Sequence, residues 1–225
     1  MIIPVIFEDK DILVINKPSG VVVHPFDYSE EETVVDFLRV NYPEMFTIEN
    51  EIKLQDGRSI ALGGVVHKLD RDTSGVMVFA KTKDMFDELK KQFSNHEIKK
   101  EYISLVEGLV KEESFTIDAP LGRNKKDYKQ QVNPTNPRGE LRDAVTEVMV
   151  LERKENTTLV RLLPKTGRTH QLRAHMAYIG HPIVGDIAYG SKISRERIML
   201  HAKSLSFTIN GKEKHFEAET PVEFN

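Results

Sequence analysis

Cysteine and tryptophan are both absent from this chain of 225 residues, and the missing cysteine excludes the most. Without cysteine the chain forms no disulfide and no thiolate metal site, which fits a reducing compartment such as the cytoplasm. The chain also lacks an apolar run of membrane-spanning length, and its first residues lack the basic and apolar parts of a secretory signal. We therefore expect a cytoplasmic protein that makes no contact with a membrane.

A strong positive charge is missing as well, because the net charge is −3. The basic residues are nevertheless concentrated, in a mostly basic stretch over residues 123–142 and in a second stretch that contains Arg161, Lys165, Arg168 and Arg173 without an acid between them. Since a polyanion responds to the local field rather than to the total charge, both stretches are compatible with nucleic acid. Ordinary solvated surface cations would produce the same pattern.

The hydrophobic pattern predicts an α+β fold with a largely antiparallel sheet in one domain over residues 1–225. We expect helices after Thr33, Thr82 and Thr169, with His175 on the apolar side of the third helix. Residues 119–140 are rich in proline and glycine, which predicts a long loop or a loose hairpin. Strands are expected at Ile12–Ile15, Val21–Val23, Val76–Ala80, Tyr102–Val106, Val145–Leu151, Thr157–Leu163 and, around an Asn210-Gly211 turn, Leu200–Phe216.

The segment His67–Gly75 is the first of three that carry chemistry, and it leads into the most apolar of the predicted strands. Its last residues are ordinary turn formers. Asp70 is harder to explain, because an unpaired carboxylate beside a buried strand would be costly. It needs a cationic or hydrogen-bonding partner, although a carboxylate that only caps its own turn would fit the local sequence equally well.

The second segment, Lys165–Arg173, begins the third predicted helix with two cations, Lys165 and Arg168. Cations at a helix N-terminus oppose the helix dipole, whereas an anion bound there would be stabilised by it. The anion could be an RNA phosphate or a carboxylate such as Asp70, and two solvated cations remain the simpler alternative. The third segment, Lys99–Gly108, places Tyr102 in a strand, where a tyrosine most often belongs to the core.

Two common kinds of catalytic site do not fit this sequence. Histidines at metal-binding spacing are absent, because His170 and His175 do not share a helix face. Ser74 lies in Thr-Ser-Gly rather than in the nucleophile elbow of a hydrolase. A glycoside-cleaving enzyme that pairs Asp70 with Asp72 is a further alternative, but adjacent turn positions rarely direct two carboxylates at one bond.

Five blocks of sequence, in order, resemble the RluA-type RNA pseudouridine synthases over nearly the whole chain. They are Asp11–Gly20, His67–Gly75, Lys100–Tyr102, Thr166–Arg173 continued by Gly180–Asp186, and Leu200–Ala202. The resemblance implies the pseudouridine synthase fold, a mixed and largely antiparallel sheet with flanking helices and a central catalytic cleft. It also implies isomerisation of uridine to pseudouridine in ribosomal or transfer RNA, without cofactor or metal, by a protein that we expect to be monomeric.

The resemblance further implies the roles of individual residues. Asp70 takes the place of the catalytic aspartate, Tyr102 that of the tyrosine against the target base, and Arg168 that of the basic residue paired with the aspartate. Leu200 takes an apolar position that lines the pocket. The implied substrate-binding residues are His67, Lys68, Leu69, Arg71, Thr73, Arg173 and Leu200.

The chain departs from the family pattern in two places. Arginine commonly stands two residues before the aspartate, whereas this chain has Lys68, and lysine stacks less well than arginine in the gap that a flipped base leaves. Many relatives also carry an S4-type RNA-binding domain before the catalytic block, which here begins almost at Met1. We therefore expect that the catalytic domain itself selects the target. A non-catalytic RNA-binding protein on the same fold is the alternative function.

Overall fold

The structure, a computed structural model, describes residues 1–25, 31–54, 57–123, 130–132 and 139–224. It confirms the predicted α+β class. The chain divides into two compact units, which we call the first unit (Met1–Ile98 with Ser204–Glu219) and the second unit (Lys99–Lys203 with Thr220–Asn225). The expectation of one domain over residues 1–225 stays a prediction.

Strands and helices alternate irregularly along the chain. The helices are α1 (Val34–Asn41), α2 (Lys83–Ser94) and α3 (Gln171–Tyr178), with short 3₁₀ turns at Pro43–Thr47, Ile187–Tyr189 and Val222–Phe224. The strands are β1 (Val5–Glu8), β2 (Ile12–Lys17), β3 (Glu51–Lys53), β4 (Ser59–Ala61), β5 (Ser74–Ala80), β6 (Lys99–Glu107), β7 (Ser114–Asp118), β8 (Leu121–Arg123), β9 (Gln130–Val132), β10 (Val145–Arg153), β11 (Thr157–Pro164), β12 (Leu200–Ile209) and β13 (Lys212–Glu217).

The first unit is built around β5, every residue of which is buried, as its continuous apolar sequence predicts. Strand β2 pairs antiparallel with β5, so that Val14 lies opposite Val78, and β1 pairs with the other edge of β2. From Ser204 onward β12 belongs to this unit and pairs with β13 across the predicted Asn210-Gly211 turn. Both turn residues have positive φ, as a two-residue hairpin requires.

Local side-chain bonds fix the starts of α1 and α2 where they were predicted. Thr33 accepts a hydrogen bond from the Asp36 backbone, and the Asp36 carboxylate accepts one from the Thr33 backbone, which completes a capping box. Thr82 caps α2 by accepting from the Met85 backbone. The prediction of a strand at Val21–Val23 is wrong, because the carbonyls of Val22 and Val23 accept hydrogen bonds from the first turn of α1 instead of a neighbouring strand.

The second unit contains four antiparallel strands in the order β6, β11, β10, β7. The predicted pair of strands around Glu155-Asn156 is therefore confirmed. Helix α3 packs its apolar residues into the core of this unit, and His175 is fully buried, as predicted. Strands β8 and β9 form a short hairpin within the predicted loop of residues 119–140. Lys125, Lys126, Lys129 and Arg138 of the first basic stretch lie outside the described residues.

Candidate active-site segments

Asp70 lies in the turn that leads into β5 of the first unit. Its side chain is partly buried, and its carbonyl oxygen accepts a hydrogen bond of 3.2 Å from the Thr73 backbone, which closes the turn. Leu69 and Thr73 are buried on either side of it, with exposed fractions of 7% and 3%. Two buried side chains therefore anchor the turn, while Asp70 between them is only partly buried.

A buried lysine fixes the position of this turn. Lys17, the last residue of β2, has no exposed surface. Its ammonium group donates to the carbonyl oxygens of Pro18, Val21 and Arg71, at 2.8, 2.7 and 2.9 Å. Three carbonyl acceptors provide the hydrogen bonds that a buried ammonium requires. The local sequence carries one signal for this role, a lysine placed two residues after the end of an apolar run.

Further bonds join the Pro18–Val21 turn to the Asp70 turn. The Ser19 hydroxyl donates to the Asp72 carbonyl at 2.7 Å, and the Gly20 backbone donates to the Arg71 carbonyl at 3.0 Å. The Arg71 guanidinium donates to the Gly20 carbonyl and forms an exposed ion pair with Glu31. The opening block and the aspartate block of the sequence thus form one connected structure, although more than fifty positions separate Lys17 from Arg71.

His67 and Lys68 occupy different surroundings in the same segment. The Nε2 atom of His67 accepts a hydrogen bond from the Val78 backbone at 3.1 Å, and its ring stacks on Phe93. These contacts support β5 from one side. Lys68 is exposed and lies near His24, a residue without a predicted role. Burial lowers the pKa of His24, and the charge of Lys68 lowers it further, against the opposing effect of its bond to the Pro25 carbonyl.

Arg168 lies in the second unit, in the segment before α3. Its Nε atom donates to the Asp143 carbonyl at 3.0 Å, and its backbone donates to the Gln171 side chain at the same distance. The neighbouring cation Lys165 forms an ion pair with the Glu147 carboxylate at 2.8 Å. Helix α3 starts after His170, which is in the left-handed conformation at φ 54°.

Arg173 is buried rather than open to a large ligand, with an exposed fraction of 8%. Its guanidinium forms two hydrogen bonds with the buried Asp186 carboxylate, at 2.7 and 2.9 Å. It also lies over the ring of Tyr189, whose hydroxyl is bonded to His170. A bidentate pair of this kind satisfies both buried charges and fixes the segment after α3.

Lys100 and Tyr102 lie in β6, two residues apart. Tyr102 is partly buried, lies opposite Leu162 of β11 and packs against the core of the second unit. The ammonium group of Lys100 donates to the Thr166 carbonyl at 2.9 Å. Burial lowers the pKa of Lys100 to about 8. Leu200, at the start of β12, is buried with an exposed fraction of 3%.

The predicted site residues thus fall into two groups. The first unit contains His67, Lys68, Leu69, Asp70, Arg71 and Thr73, and the second contains Tyr102, Arg168, Arg173 and Leu200. Within the described ranges, no cluster of three histidine or acidic side chains is arranged to hold a metal ion. The helices in those ranges include none long and apolar enough to cross a membrane. The turn before β5 of the first unit carries two partly buried carboxylates, Asp70 and Asp72, and a carboxylate can act as a nucleophile or a base.

Residues 11–178 match the sequence family described as RNA pseudouridylate synthase. An uncharacterised RNA pseudouridine synthase of Bacillus subtilis is 37% identical over 99% of this chain and 70% of its own length. A ribosomal large subunit pseudouridine synthase D of Zymomonas mobilis is 35% identical over 96% of this chain and 69% of its own length. Among solved structures, human RNA pseudouridylate synthase domain containing 1 is similar, with a TM-score of 0.77, 26% identity, and coverage of 97% of this chain and 83% of that one.

Proposed function

The chain belongs to the RNA pseudouridylate synthase family and isomerises uridine to pseudouridine in RNA, and on this premise we propose that Asp70 is the catalytic carboxylate. One observation carries the proposal. The turn around Asp70 is fixed by the buried Lys17, while Asp70 itself is only partly buried. A rigid support under an accessible reactive group is what precise positioning of a catalyst requires.

The reaction sets the requirements for this carboxylate. The bond between N1 of uracil and C1′ of the ribose breaks, the base turns, and a bond forms between C5 and C1′. The proton on C5 is then lost and N1 gains one, so the product is an isomer and no redox cofactor is needed. An ionised Asp70 would attack the sugar as a nucleophile or remove a proton from it as a base. The base must leave its stack to reach the turn, at about a few kcal/mol.

Tyr102 and Arg168 complete the proposed catalytic set. Tyr102 would stack on the uracil ring and assist the removal of the C5 proton. We propose that Arg168, whose charge is fixed, pairs with the Asp70 carboxylate. We propose that exposed Lys68 and Arg71 bind the RNA backbone and that Leu200 lines the pocket. The remaining substrate-binding residues would contribute indirectly, by holding the residues that meet the RNA in place through their contacts inside each unit. They are His67, Leu69, Thr73 and Arg173.

The RNA that we propose as substrate is large-subunit ribosomal RNA. Relatives from Zymomonas mobilis, Borreliella burgdorferi and Vibrio parahaemolyticus are named ribosomal large subunit pseudouridine synthases, and they are 33 to 35% identical to this chain. Transfer RNA is the second candidate and is tested in the same experiment. We further propose that the protein acts as a monomer in the cytoplasm.

The decisive experiment measures tritium released from RNA labelled at C5 of uracil, because each isomerisation transfers that hydrogen to water. Ribosomal RNA and transfer RNA from a strain that lacks the gene are the substrates, and free uridine is the control for a nucleoside-cleaving enzyme. We expect release from ribosomal RNA that Asp70→Asn lowers by about a thousandfold or more. Asp72→Asn, a neighbouring carboxyl in the same turn, is the matched control and should stay within about threefold of wild type.

Each outcome has a clear meaning. Residual turnover of Asp70→Asn near the wild-type rate would remove Asp70 from the catalytic role. Binding of RNA by the wild type without any tritium release would favour the alternative of a non-catalytic RNA-binding protein. Two substitutions test Tyr102. Tyr102→Phe keeps the aromatic ring that would stack on the uracil and loses only the hydroxyl, whereas Tyr102→Leu loses the ring. If stacking is the main contribution of Tyr102, tritium release should be slower with Tyr102→Leu than with Tyr102→Phe.

A further inference from the structure

Lys100 links two of the sequence blocks that carry the proposed catalytic residues. It precedes Tyr102 by two positions in β6, and residues two apart in a strand direct their side chains to the same face of the sheet. Its ammonium group donates to the main-chain carbonyl of Thr166 at 2.9 Å. A Cβ added to Gly167 would lie 3.5 Å from the same nitrogen, which places Lys100 directly against the segment that continues into Arg168.

The segment that Lys100 reaches is fixed from its other side as well. The Thr166 hydroxyl accepts a hydrogen bond from the Val145 backbone and donates to the Gln171 side chain at 2.7 Å. The same Gln171 oxygen accepts from the Arg168 backbone. The Thr166 carbonyl is the remaining strong acceptor of this residue, and Lys100 occupies it. The bond from Lys100 therefore connects β6 directly to the main chain just before Arg168.

A lysine at this position reduces the stability of the fold, because its charge is removed from water. The side chain is largely buried, and that burial lowers the pKa of its ammonium group to about 8. An apolar residue of the same length would fill the space without the cost of removing a charge from water. The charge is kept where its ammonium group has a specific main-chain partner, on the strand that carries a proposed catalytic residue, and this placement favours a functional role.

We propose that Lys100 is a positioning residue, which fixes the Thr166–Arg168 main chain to the strand that carries Tyr102 and thereby sets the place of the Arg168 guanidinium. This inference rests on the proposed roles of Tyr102 and Arg168. Lys100 acts through Arg168 and does not itself touch the reacting atoms. Its removal should slow the chemical step and leave RNA binding nearly unchanged, because the exposed cations that meet the RNA lie elsewhere in the chain.

The test compares Lys100→Met, which keeps the length and loses the ammonium group, with Lys100→Arg, which keeps a charged donor. We expect Lys100→Met to lower kcat about tenfold or more while KM stays within about threefold, and Lys100→Arg to recover part of the loss. Lys99→Met, a change at the exposed neighbour in the same strand, is the matched control with unchanged kcat. Circular dichroism and the thermal midpoint show whether each variant is folded, and Lys100→Gln replaces Lys100→Met if that variant is not.

A double variant tests whether Lys100 acts through Arg168. Added to Arg168→Ala, Lys100→Met should cause less than about a twofold further loss, because two residues in one pathway do not have multiplying effects. An unchanged kcat in folded Lys100→Met, a multiplying effect in the double variant, or a loss that Lys100→Arg does not relieve would each overturn the inference. Failure of the proposed function is distinguishable, since Arg168→Ala alone would then leave kcat unchanged, or wild type would release no tritium from any RNA.

Discussion

Replacing Lys17 by methionine should destabilise the turn around Asp70 and reduce activity together. Methionine has a similar length and fits a buried site, so the change removes the ammonium group without leaving a large cavity. The carbonyls of Pro18, Val21 and Arg71 then lose their common donor. The substitution therefore changes hydrogen bonding in the first unit and replaces none of the predicted site residues.

The magnitude follows from the number and kind of these bonds. A hydrogen bond to a charged group contributes about 1.5 to 3 kcal/mol. Three such bonds would together contribute about 4 to 9 kcal/mol to stability. Burying the lysine charge has a cost that offsets about half of that sum, and Lys17→Met removes this cost as well. We expect the free energy of unfolding to fall by about 3 kcal/mol, which lowers the thermal midpoint by about 6 to 12 °C for a chain of this length.

Urea unfolding and a thermal melt measure the loss of stability, and tritium release measures kcat at a temperature where the variant is fully folded. Lys10→Met, a change at an exposed lysine of the same unit, is the control and should leave both quantities unchanged. We expect kcat of folded Lys17→Met to fall about tenfold or more, because the turn that holds Asp70 loses its fixed support. A thermal midpoint within about 1 °C of wild type would refute the reasoning about buried hydrogen bonds.

Three further predictions concern other residues. Gly64→Ala should lower the thermal midpoint of unfolding by at least about 8 °C, because the added Cβ would lie 1.8 Å from the Ala80 carbonyl oxygen. Calorimetry measures this midpoint, and a smaller decrease would mean that the backbone moves easily there. Burial lowers the pKa of His175, so the folded protein holds it neutral while the unfolded chain binds a proton below the ordinary value of 6.5. The contribution of His175 to the free energy of unfolding should therefore be constant above pH 6.5. Below pH 6.5 the free energy of unfolding should decrease, by at most about 1.4 kcal/mol per pH unit. His175→Gln should flatten this slope when urea unfolding is measured at several pH values. Lys68→Arg should raise kcat/KM on structured RNA by about twofold or more, since arginine stacks better in the gap left by a flipped base; an equal or lower value would show that Lys68 meets only phosphate.

The sequence by itself predicted the three helices and the longer strands, but not the short strands β1, β3 and β4. Hydrophobic runs, threonine caps and the Asn210-Gly211 turn are local signals, and each acts on residues a few positions away. The Val21–Val23 strand was predicted wrongly because a local apolar run does not reveal which partner its carbonyls will meet. That partner is the first turn of α1, ten or more residues later.

Only the tertiary structure decided which of these polar residues are buried among hydrogen-bond partners and which are exposed. The family resemblance implies that Arg173 binds the substrate, and the structure shows that its guanidinium forms a buried pair with Asp186. In the sequence Lys17 belongs to a turn, yet its ammonium group donates to the Arg71 carbonyl far along the chain. The ammonium group of Lys100 likewise donates to the distant Thr166 carbonyl. Such contacts join residues that are distant in sequence, and their energy depends on burial and geometry that exist only after the chain has folded.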